Sequence, residues 1–303
     1  MVIIGKKFGR LANRLWIFSY FAANSIAYGY KLLYRNFDEF IWYFNATRTN
    51  DFDGYPIKTR ITRIIPLDYF LYWLMQAVIE SIKNIKPIFS FYIIKKVERK
   101  GEGYDLNDSE FVNNAGKKLV ITRDGGFYFR DNRNLKQYKE HILRFFSPRE
   151  KHMARINTLI GEGRKKADII VGVHIRKGDF AKWKNGRWYY ENTTYATCME
   201  SLKQHLEEDG KRILFLIVSD EPVNQDDFQA FHTVLGTGHL IEDLYALASC
   251  DYIIGPPSTF TLWASFYGEK PLWFIEYPDQ KPALSDFFVA EEIGQYTRIV
   301  DKI

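Results

Sequence analysis

A buried-type strand in the second half of the chain, DIIVGV, runs directly into the segment HIRKGD at residues 174–179. This segment places two cations and a carboxylate where a predicted strand ends. An arginine binds a diphosphate through two parallel charge-assisted hydrogen bonds, so Arg176 is a candidate phosphate ligand. An ion pair between Arg176 and Asp179 within a loop explains the same residues without any ligand.

Polar residues also follow the next two predicted strands. RILFLIV is followed by SDEP at residues 219–222, and DYIIG is followed by PPST, which ends at Ser258 and Thr259. One of these two hydroxyls is expected to cap the helix FTLWASFYG, whose open amide groups would then face the same edge as a ready anion site. Capping alone also explains both hydroxyls. Three strands that end in polar groups at one edge of a sheet nevertheless indicate a ligand site.

A third segment lies near the N-terminus, where GRLANR joins the strand VII to a helix predicted over 11–28 and closed by Gly29. It contains Gly9, Arg10 and Asn13. The segment lacks the spacing of a Walker loop and of the GxGxxG fingerprint. The sequence therefore argues against a P-loop NTPase and against an NAD-linked oxidoreductase.

The sequence contains two groups of possible metal ligands. Asp51 and Asp53 form a DxD pair, but their context, NDFDGYP, is typical of a turn. His232, His239 and Glu242 are too loosely spaced to form a recognisable ligand set. The sequence therefore predicts no metal and no cofactor.

The elements that must position these residues alternate regularly in the second half of the chain. Right-handed βαβ units with a parallel sheet are expected from this alternation, and such sheets bind ligands beyond the carboxyl ends of their strands. The predicted strands are DIIVGVHI, RILFLIVS, DYIIG and PLWFI, and the predicted helices cover 194–209, 240–249 and 258–267.

A length of 303 residues allows two domains around a cleft. The basic segment GEGRKKAD at 161–168 is expected to be a hinge, which gives an N-terminal domain over 1–160 and a C-terminal domain over 161–303. In the first half we predict strands at VII, KLLY and KLVIT, helices over 135–146 and 148–163, and an irregular stretch over 36–66.

Charge is distributed unevenly along the chain. Residues 1–200 hold 35 Lys and Arg against 20 Asp and Glu, whereas residues 201–303 hold 7 against 17. A basic first part could bind nucleic acid, an anionic membrane surface or a phosphorylated ligand, or could be a solvated surface with no partner. The basic residues form no compact DNA- or RNA-reading motif, so no nucleic-acid partner is expected.

The most apolar segment covers residues 67–98 and is interrupted by charged residues and by Pro87. We predict a helix that ends near Lys86, followed by a strand, and we favour core packing over an aromatic and basic face lying on a membrane. The chain carries no recognisable secretory signal, and Cys198 and Cys250 cannot form a disulfide framework. A cytoplasmic protein, at most in contact with the inner face of the membrane, is expected.

Three ordered motifs together resemble the superfamily of α1,2-, α1,6- and protein O-fucosyltransferases. GRLANR is similar to its GxxGNQ motif, HIRKGD to HxRRxD, and EDLYALASCDYIIGPPSTFTLW to its C-terminal block ending in SSFSWW. The form of HIRKGD is closest to the HxRxGD of bacterial α1,2-fucosyltransferase-like proteins. The resemblance implies an α/β fold of the GT-B type, with two Rossmann-like domains and a C-terminal parallel sheet that holds GDP-fucose.

Roles for individual residues follow from the resemblance alone. Arg176 matches the arginine that binds the β-phosphate and neutralises the departing GDP, and Asn13 matches the asparagine near the glycosidic oxygen. The remaining matches lie on the donor side. His174 and Asp243 correspond to guanine-side residues, Ser258 and Thr259 to the diphosphate-contacting pair, and Gly9, Arg10 and Lys177 to neighbouring positions of the motifs.

The implied reaction is metal-independent, inverting transfer of fucose from GDP-fucose to a hydroxyl of a glycan acceptor, such as a bacterial surface polysaccharide. The acceptor must lose a proton, for which Asp179, Glu221 and a carboxylate of the N-terminal domain are all candidates. Lys177 and Ala12 depart from the motifs, which have arginine and glycine there. A non-catalytic nucleotide-sugar or carbohydrate-binding protein on the same scaffold, or a transferase of another GDP-sugar, is the alternative.

Overall fold

The computed structural model describes residues 1–81, 91–94, 103–122, 128–207 and 210–302, with 91–94 described by their backbone. The chain forms two compact units, Met1–Arg149 and Glu150–Ile303. The division falls before the expected boundary at 160/161, because Glu150–Lys166 is one continuous helix that packs within the second unit against Leu240–Leu247. The hinge predicted over 161–168 is therefore wrong, since the helix continues to Lys166.

The first unit is built on a parallel sheet of five strands in the order β3-β2-β1-β6-β4, with β5 and β7 paired separately. Its strands are β1 (Val2–Ile4), β2 (Leu32–Leu33), β3 (Ile57–Lys58), β4 (Phe91–Ile94), β5 (Tyr104–Asp105), β6 (Leu119–Thr122) and β7 (Phe129–Arg130). Its helices are α1 (Leu11–Tyr28), α2 (Asn45–Thr49), α3 (Ile65–Ser81), α4 (Ser109–Lys117), α5 (Asn132–Gln137) and α6 (Lys139–Phe145).

Helix α1 forms over the residues predicted for it and ends at Gly29, whose φ of 71° is a left-handed conformation that glycine adopts readily. The helix is buried along most of its length. Phe18 packs edge-on against Tyr34, Phe37 and Phe146 at centroid distances of 5.3–5.4 Å. Aromatic packing around α1 thus fixes the helix whose N-terminus carries the GRLANR segment.

The stretch over 36–66 is more regular than predicted. It contains α2, most of a 3-10 helix at Arg35–Phe40, and β3, which extends the sheet. A buried ion pair between Arg35 Nε and Asp68 Oδ2, 2.6 Å long, ties this stretch to α3. Its order comes from tertiary contacts, and local hydrophobic periodicity did not reveal it.

Helix α3 begins at Ile65, and the predicted helix end near Lys86 lies outside the described residues. The strand expected after it is β4. Core packing, which we favoured for 67–98, does not describe α3: only Asp68 and Ile79 of this helix are buried, whereas Phe70 and Trp73 are 63% and 70% exposed. Within the described ranges, no helix combines the length and apolarity that crossing a membrane requires.

The second unit contains a six-stranded sheet in the order β10-β9-β8-β11-β12-β13, parallel except for β13. Its strands are β8 (Ile169–Ile175), β9 (Ile213–Ser219), β10 (Thr233–Leu235), β11 (Tyr252–Gly255), β12 (Pro271–Phe274) and β13 (Phe288–Val289). Its helices are α7 (Glu150–Lys166), α8 (Asn192–Glu207), α9 (Leu240–Leu247), α10 (Thr259–Gly268) and α11 (Gly294–Val300). The predicted parallel sheet is confirmed, while β10 and β13 were not predicted.

Candidate active site at the edge of the C-terminal sheet

The arginine that follows β8 is held between two carboxylates. Arg176 Nη2 lies 2.5 Å from Asp179 Oδ1, and Nη1 lies 2.9 Å from Asp220 Oδ2. The side chain is 15% exposed, and its guanidinium carbon lies 5.5 Å from the centre of the Phe180 ring. The Arg176–Asp179 ion pair, expected as an alternative to a ligand site, is thus present. The same contacts hold the guanidinium, largely buried, in one orientation at the end of the strand.

Asp220 is a site residue that sequence reasoning did not select. Besides its contact with Arg176, it accepts a hydrogen bond from the backbone N–H of Lys177 at 2.9 Å. A Cβ on Gly178 would lie 2.5 Å from Asp220 Oδ2, so the absence of a side chain lets the carboxylate approach the loop. Asp220 could have been identified from its position, because it directly follows β9, the strand that pairs with β8.

His174 is the second-to-last residue of β8, at the same edge of the sheet, and is 3% exposed. Its ring stacks on Phe260 at 5.0 Å, and a Cβ on Gly255 would lie 3.0 Å from the His174 Cβ, so β11 approaches closely there. Burial, with a further contribution from the Arg176 guanidinium, lowers the pKa of His174 to about 3. The ring is therefore neutral at physiological pH, and its Nδ1 makes no hydrogen bond within the described part of the chain.

The hydroxyls after β11 start α10. Ser258 is the N-cap, as expected for one of the two residues, and its Oγ accepts a hydrogen bond from Phe260 N at 3.1 Å. Thr259 is the first residue of the helix, and both residues are at least nine-tenths buried. The N-terminus of α10 therefore lies beside His174, through the Phe260 contact, with the positive end of its dipole at this edge.

Asp243 lies in the first turn of α9 and is 5% exposed. Its Oδ1 accepts hydrogen bonds from Thr237 N at 2.7 Å and from Thr237 Oγ1 at 3.2 Å. Burial raises the pKa of Asp243, and the bonds from Thr237 only partly oppose this effect. Asp243 is not the cap of its helix, because His239 accepts from Ile241 N in that role. The carboxylate instead holds the loop between β10 and α9.

The N-terminal segment lies in the other unit. Gly9 has a φ of 61°, and a Cβ there would come within 1.9 Å of Asn13 Nδ2, so only glycine fits beside Asn13. Arg10 is exposed and precedes α1 without a side-chain capping bond. Arg14, not selected from the sequence, is buried, donates from Nε to Gly9 O at 3.1 Å, and lies 3.2 Å from Glu39. It fixes the shape of the segment.

The two metal-ligand groups considered from the sequence have different surroundings. Asp53 is paired with Arg144 at 2.6 Å, and Asp51 Oδ1 accepts from Gly54 N at 3.2 Å, as the turn interpretation predicts. His239 and Glu242 do lie close together, but their neighbour is His152 on α7, and His232 is not part of the group.

The second unit thus brings His174, Arg176 and Lys177 together with Asp220 at one sheet edge, where α10 begins and the Asp243 loop follows β10. The selected residues Gly9, Arg10 and Asn13 belong to the first unit and form their own turn. In both units the chemically useful residues follow the carboxyl ends of parallel strands, as doubly wound sheets require.

The sequence profile of glycosyl transferase family 11 matches residues 77–277. Because this match covers most of the chain, the chain belongs to glycosyl transferase family 11. No curated protein has a significantly similar sequence.

Solved structures share the fold at low sequence identity. A mutant of Arabidopsis thaliana FUT1 in complex with GDP is 14% identical, with a TM-score of 0.61 over 96% of this chain and 74% of that one. The fucosyltransferase NodZ from Bradyrhizobium is 18% identical, with a TM-score of 0.57 over 93% of this chain and 99% of that one. NodZ α-1,6-fucosyltransferase soaked with GDP-fucose is 16% identical, with a TM-score of 0.55 over 93% of this chain and 99% of that one. The expected GT-B-like fold class and the resemblance to fucosyltransferases are confirmed.

Proposed function

We propose that this glycosyltransferase moves fucose from GDP-fucose to a hydroxyl of a glycan acceptor, with inversion at the anomeric carbon and without a metal. Family membership supports the reaction class. Similarity to a structure in complex with GDP and to one soaked with GDP-fucose supports the donor. The observation that carries the proposal is the guanidinium of Arg176, oriented by Asp179 and Asp220 at the end of β8.

The diphosphate of the donor would take the place that Asp179 occupies beside Arg176. The Asp179 side chain is 48% exposed and can turn into solvent, whereas Asp220, 17% exposed, is anchored by Lys177 N. Two parallel bonds from Arg176 and the amide groups at the start of α10 would then face the phosphate oxygens. Ser258, Thr259 and the cation of Lys177 complete the donor-binding group in this proposal.

The guanine would lie toward His174 and Asp243. The carboxylate of Asp243 can accept from the guanine ring N–H and the exocyclic amine together, a donor pair that uracil and thymine lack. Neutral, buried His174 carries a ring nitrogen without a protein partner among the described residues, and a ligand donor would satisfy it. In this arrangement the contacts of guanine, and not only those of the diphosphate, determine the affinity for the donor.

In the transfer step the acceptor oxygen forms a bond to the anomeric carbon while the bond from that carbon to the β-phosphate oxygen breaks. The acceptor proton passes to a base, and the electron pair of the broken bond stays on GDP. Arg176 stabilises the developing charge, and an oriented donor of this kind accelerates transfer on the order of a hundredfold or more. Asn13 would contact the glycosidic oxygen.

The two structural units would divide this work. The unit Glu150–Ile303 would bind the nucleotide sugar, and the unit Met1–Arg149, which carries Gly9, Arg10 and Asn13, would serve the acceptor side. We retain the expectation that nucleic acid is not a partner.

A donor screen tests the proposal. The purified protein is offered GDP-fucose, GDP-mannose, UDP-sugars and dTDP-sugars with simple glycan acceptors, and nucleotide release is measured. GDP release from GDP-fucose alone, with an α-linked product seen by NMR from the β-linked donor, is expected. Transfer only from a UDP- or dTDP-sugar, or a product that keeps the β configuration, would contradict it.

A second proposal concerns contact with an anionic membrane surface through the exposed face of α3. Phe70, Trp73, Leu74 and Val78 are between 49% and 70% exposed, a large apolar surface for one helix. The unit to which α3 belongs holds 25 Lys and Arg against 14 Asp and Glu, which favours anionic lipid.

Flotation with vesicles of phosphatidylcholine containing phosphatidylglycerol tests this contact. Wild-type protein should float, and a Phe70→Ser/Trp73→Ser variant should remain in the lower fraction, while the control Tyr277→Ser, exposed on the other unit, should float. Wild-type protein that does not float would contradict the membrane contact. A double variant that still floats but changes from dimer to monomer would also contradict it, because the face then contacts a second copy of the chain.

A further inference from the structure

Three potential metal ligands converge where α7 packs on the start of α9, a place that the proposed transfer step does not use. One nitrogen each of His152 and His239 and one oxygen of Glu242 all lie within 4.8 Å of one another. His152 Nδ1 and Glu242 Oε1 are already 2.8 Å apart. His152 and His239 are 87 positions apart in the sequence. They meet because α7 packs against α9, whose N-cap residue is His239.

These three side chains are titratable, yet two of them are almost completely buried. His152 is 3% exposed and Glu242 is 1% exposed, whereas His239 is partly exposed at the N-terminus of α9. The two imidazole rings lie 4.7 Å apart with a tilt of 32°. A buried carboxylate with two imidazoles beside it is costly unless charge is balanced, and a divalent cation balances it well.

One cation already contacts the carboxylate. Arg155 Nη1 lies 3.2 Å from Glu242 Oε1, but the Arg155 side chain is 69% exposed. The carboxylate of this pair is buried, but the arginine reaches it from solvent, and its side chain can return to solvent. Arg155 therefore compensates the charge of Glu242 in the metal-free protein and can move away when a metal enters.

We propose that His152, His239 and Glu242 form a Zn²⁺ site. Two nitrogens and one carboxylate oxygen are a typical zinc ligand set, with a water molecule as the fourth ligand. Zinc bonds of 2.0–2.1 Å in a tetrahedron place the ligand atoms about 3.4 Å apart. Ligand atoms that lie up to 4.8 Å apart must therefore approach by at most about 1.4 Å. His239 is the partly exposed ligand and is the least confined of the three.

The site is placed to stabilise the loop that holds Asp243. His239 follows Thr237 by two residues, and Thr237 donates to Asp243 from both its backbone and its hydroxyl. Glu242 precedes Asp243 directly. Zinc would therefore fix both ends of the segment 237–243 to α7, and its role is structural, separate from the transfer step.

Titration calorimetry with ZnCl₂ alone tests the site on full-length, tag-free protein treated with EDTA and then freed of the chelator. Saturable binding of one Zn²⁺ and a higher melting temperature are expected. Co²⁺ in place of Zn²⁺ should give visible absorption bands of a four-coordinate site. Glu242→Gln, which keeps the volume and a hydrogen-bond acceptor, should weaken zinc binding at least about tenfold.

Two further variants complete the test. His239→Asn retains an acceptor for the capping bond to Ile241 N but removes the imidazole, and it should also weaken zinc binding at least about tenfold. Because His239 is partly exposed, this variant keeps the test valid if the change at buried Glu242 prevents folding. His232→Asn, outside the group, is the matched control. Absence of saturable binding in wild type, or equal affinity in wild type and both ligand variants, would overturn the proposal.

Discussion

Asp220 contacts Arg176 and the residue after it at the same time. Its Oδ2 lies 2.9 Å from Arg176 Nη1, and its Oδ1 accepts from Lys177 N at 2.9 Å. One carboxylate, directly after the end of β9, thus fixes both a side chain and the backbone of the loop that leaves β8. The direction of the guanidinium is set by the neighbouring strand and does not depend on a ligand.

Arg176→Ala should lower kcat/KM for transfer on the order of a hundredfold or more while the melting temperature changes little, because the leaving diphosphate loses its oriented cation. Arg176→Lys should restore little, since a point charge cannot form the two parallel bonds. Steady-state kinetics of GDP release measure this. Arg212→Ala, an exposed arginine at the opposite end of the sheet, should behave as wild type. Near-normal turnover of Arg176→Ala would remove the arginine from the site.

Asp220→Asn keeps an oxygen for Lys177 N but loses the charge that orients Arg176. We expect kcat to fall about tenfold, a change typical of residues that position a functional group through hydrogen bonds. Circular dichroism should show an unchanged fold. The matched control is Asp227→Asn, which removes an exposed carboxylate that follows the same strand. Equal kcat for both variants and wild type would show that Arg176 does not need this partner.

Asp243→Asn should weaken GDP binding at least about tenfold, because a neutral amide cannot accept two guanine donors as a carboxylate does. Calorimetry with GDP and UDP measures the effect. Thr237→Val separates the structural role, since it removes the 3.2 Å hydroxyl contact and leaves the carboxylate; its GDP affinity should change little. Because burial raises the pKa of Asp243, GDP affinity should fall on acidification at a higher pH than for an ordinary aspartate. UDP affinity equal to that for GDP would contradict the assignment.

His174 predicts a pH dependence of folding stability. Its pKa is about 3 when folded and about 6.5 when unfolded, so between these values the unfolded chain binds the extra proton. The contribution is constant above pH 6.5 and decreases as the pH falls, by about 2 kcal/mol between pH 6.5 and pH 5. Urea unfolding should show a shallower decrease for His174→Gln than for wild type. The exposed His205→Gln control should follow wild type, and parallel curves for all three proteins would refute the prediction.

Transfer activity should survive EDTA, since the proposed charge stabilisation comes from Arg176 and the amides of α10. The zinc site proposed between α7 and α9 takes no part in the transfer step. Its loss should lower stability and, through the Asp243 segment, donor affinity, while turnover at saturating donor persists. Activity lost on chelation and restored by Mn²⁺ or Mg²⁺ would require Asp51 and Asp53 to be reconsidered, although Asp53 is paired with Arg144.

The regular second half of the chain could be predicted closely because its strands are buried on both faces and its helices are long enough to show their period. β8 and β9 were identified as continuous apolar runs, and a cap at Ser258 or Thr259 followed from residue type and position; the structure shows that it is Ser258. Strands β10 and β13 have three and two residues. Such short segments carry no periodicity, and only their pairing with β9 and β12 defines them.

The candidate site was predicted in part. Residues attached to a strand end, such as Arg176, could be found because a local segment carries both the strand and the polar group. Asp220 acts through a contact across two strands, and His152 meets Glu242 across two helices 90 positions apart. Those pairings depend on the packing of elements that are distant in sequence, and no local pattern encodes them.

The C-terminal sheet has its longest strands in the middle and its shortest at both margins. β8 and β9 have seven residues each, whereas β10 and β13 have three and two. Unpaired N–H and C=O groups on a marginal strand can recruit a strand from another molecule and start aggregation. With so few such groups at either margin, the folded sheet offers a poor template for intermolecular β-pairing, and this protects a strongly apolar sheet at high protein concentration.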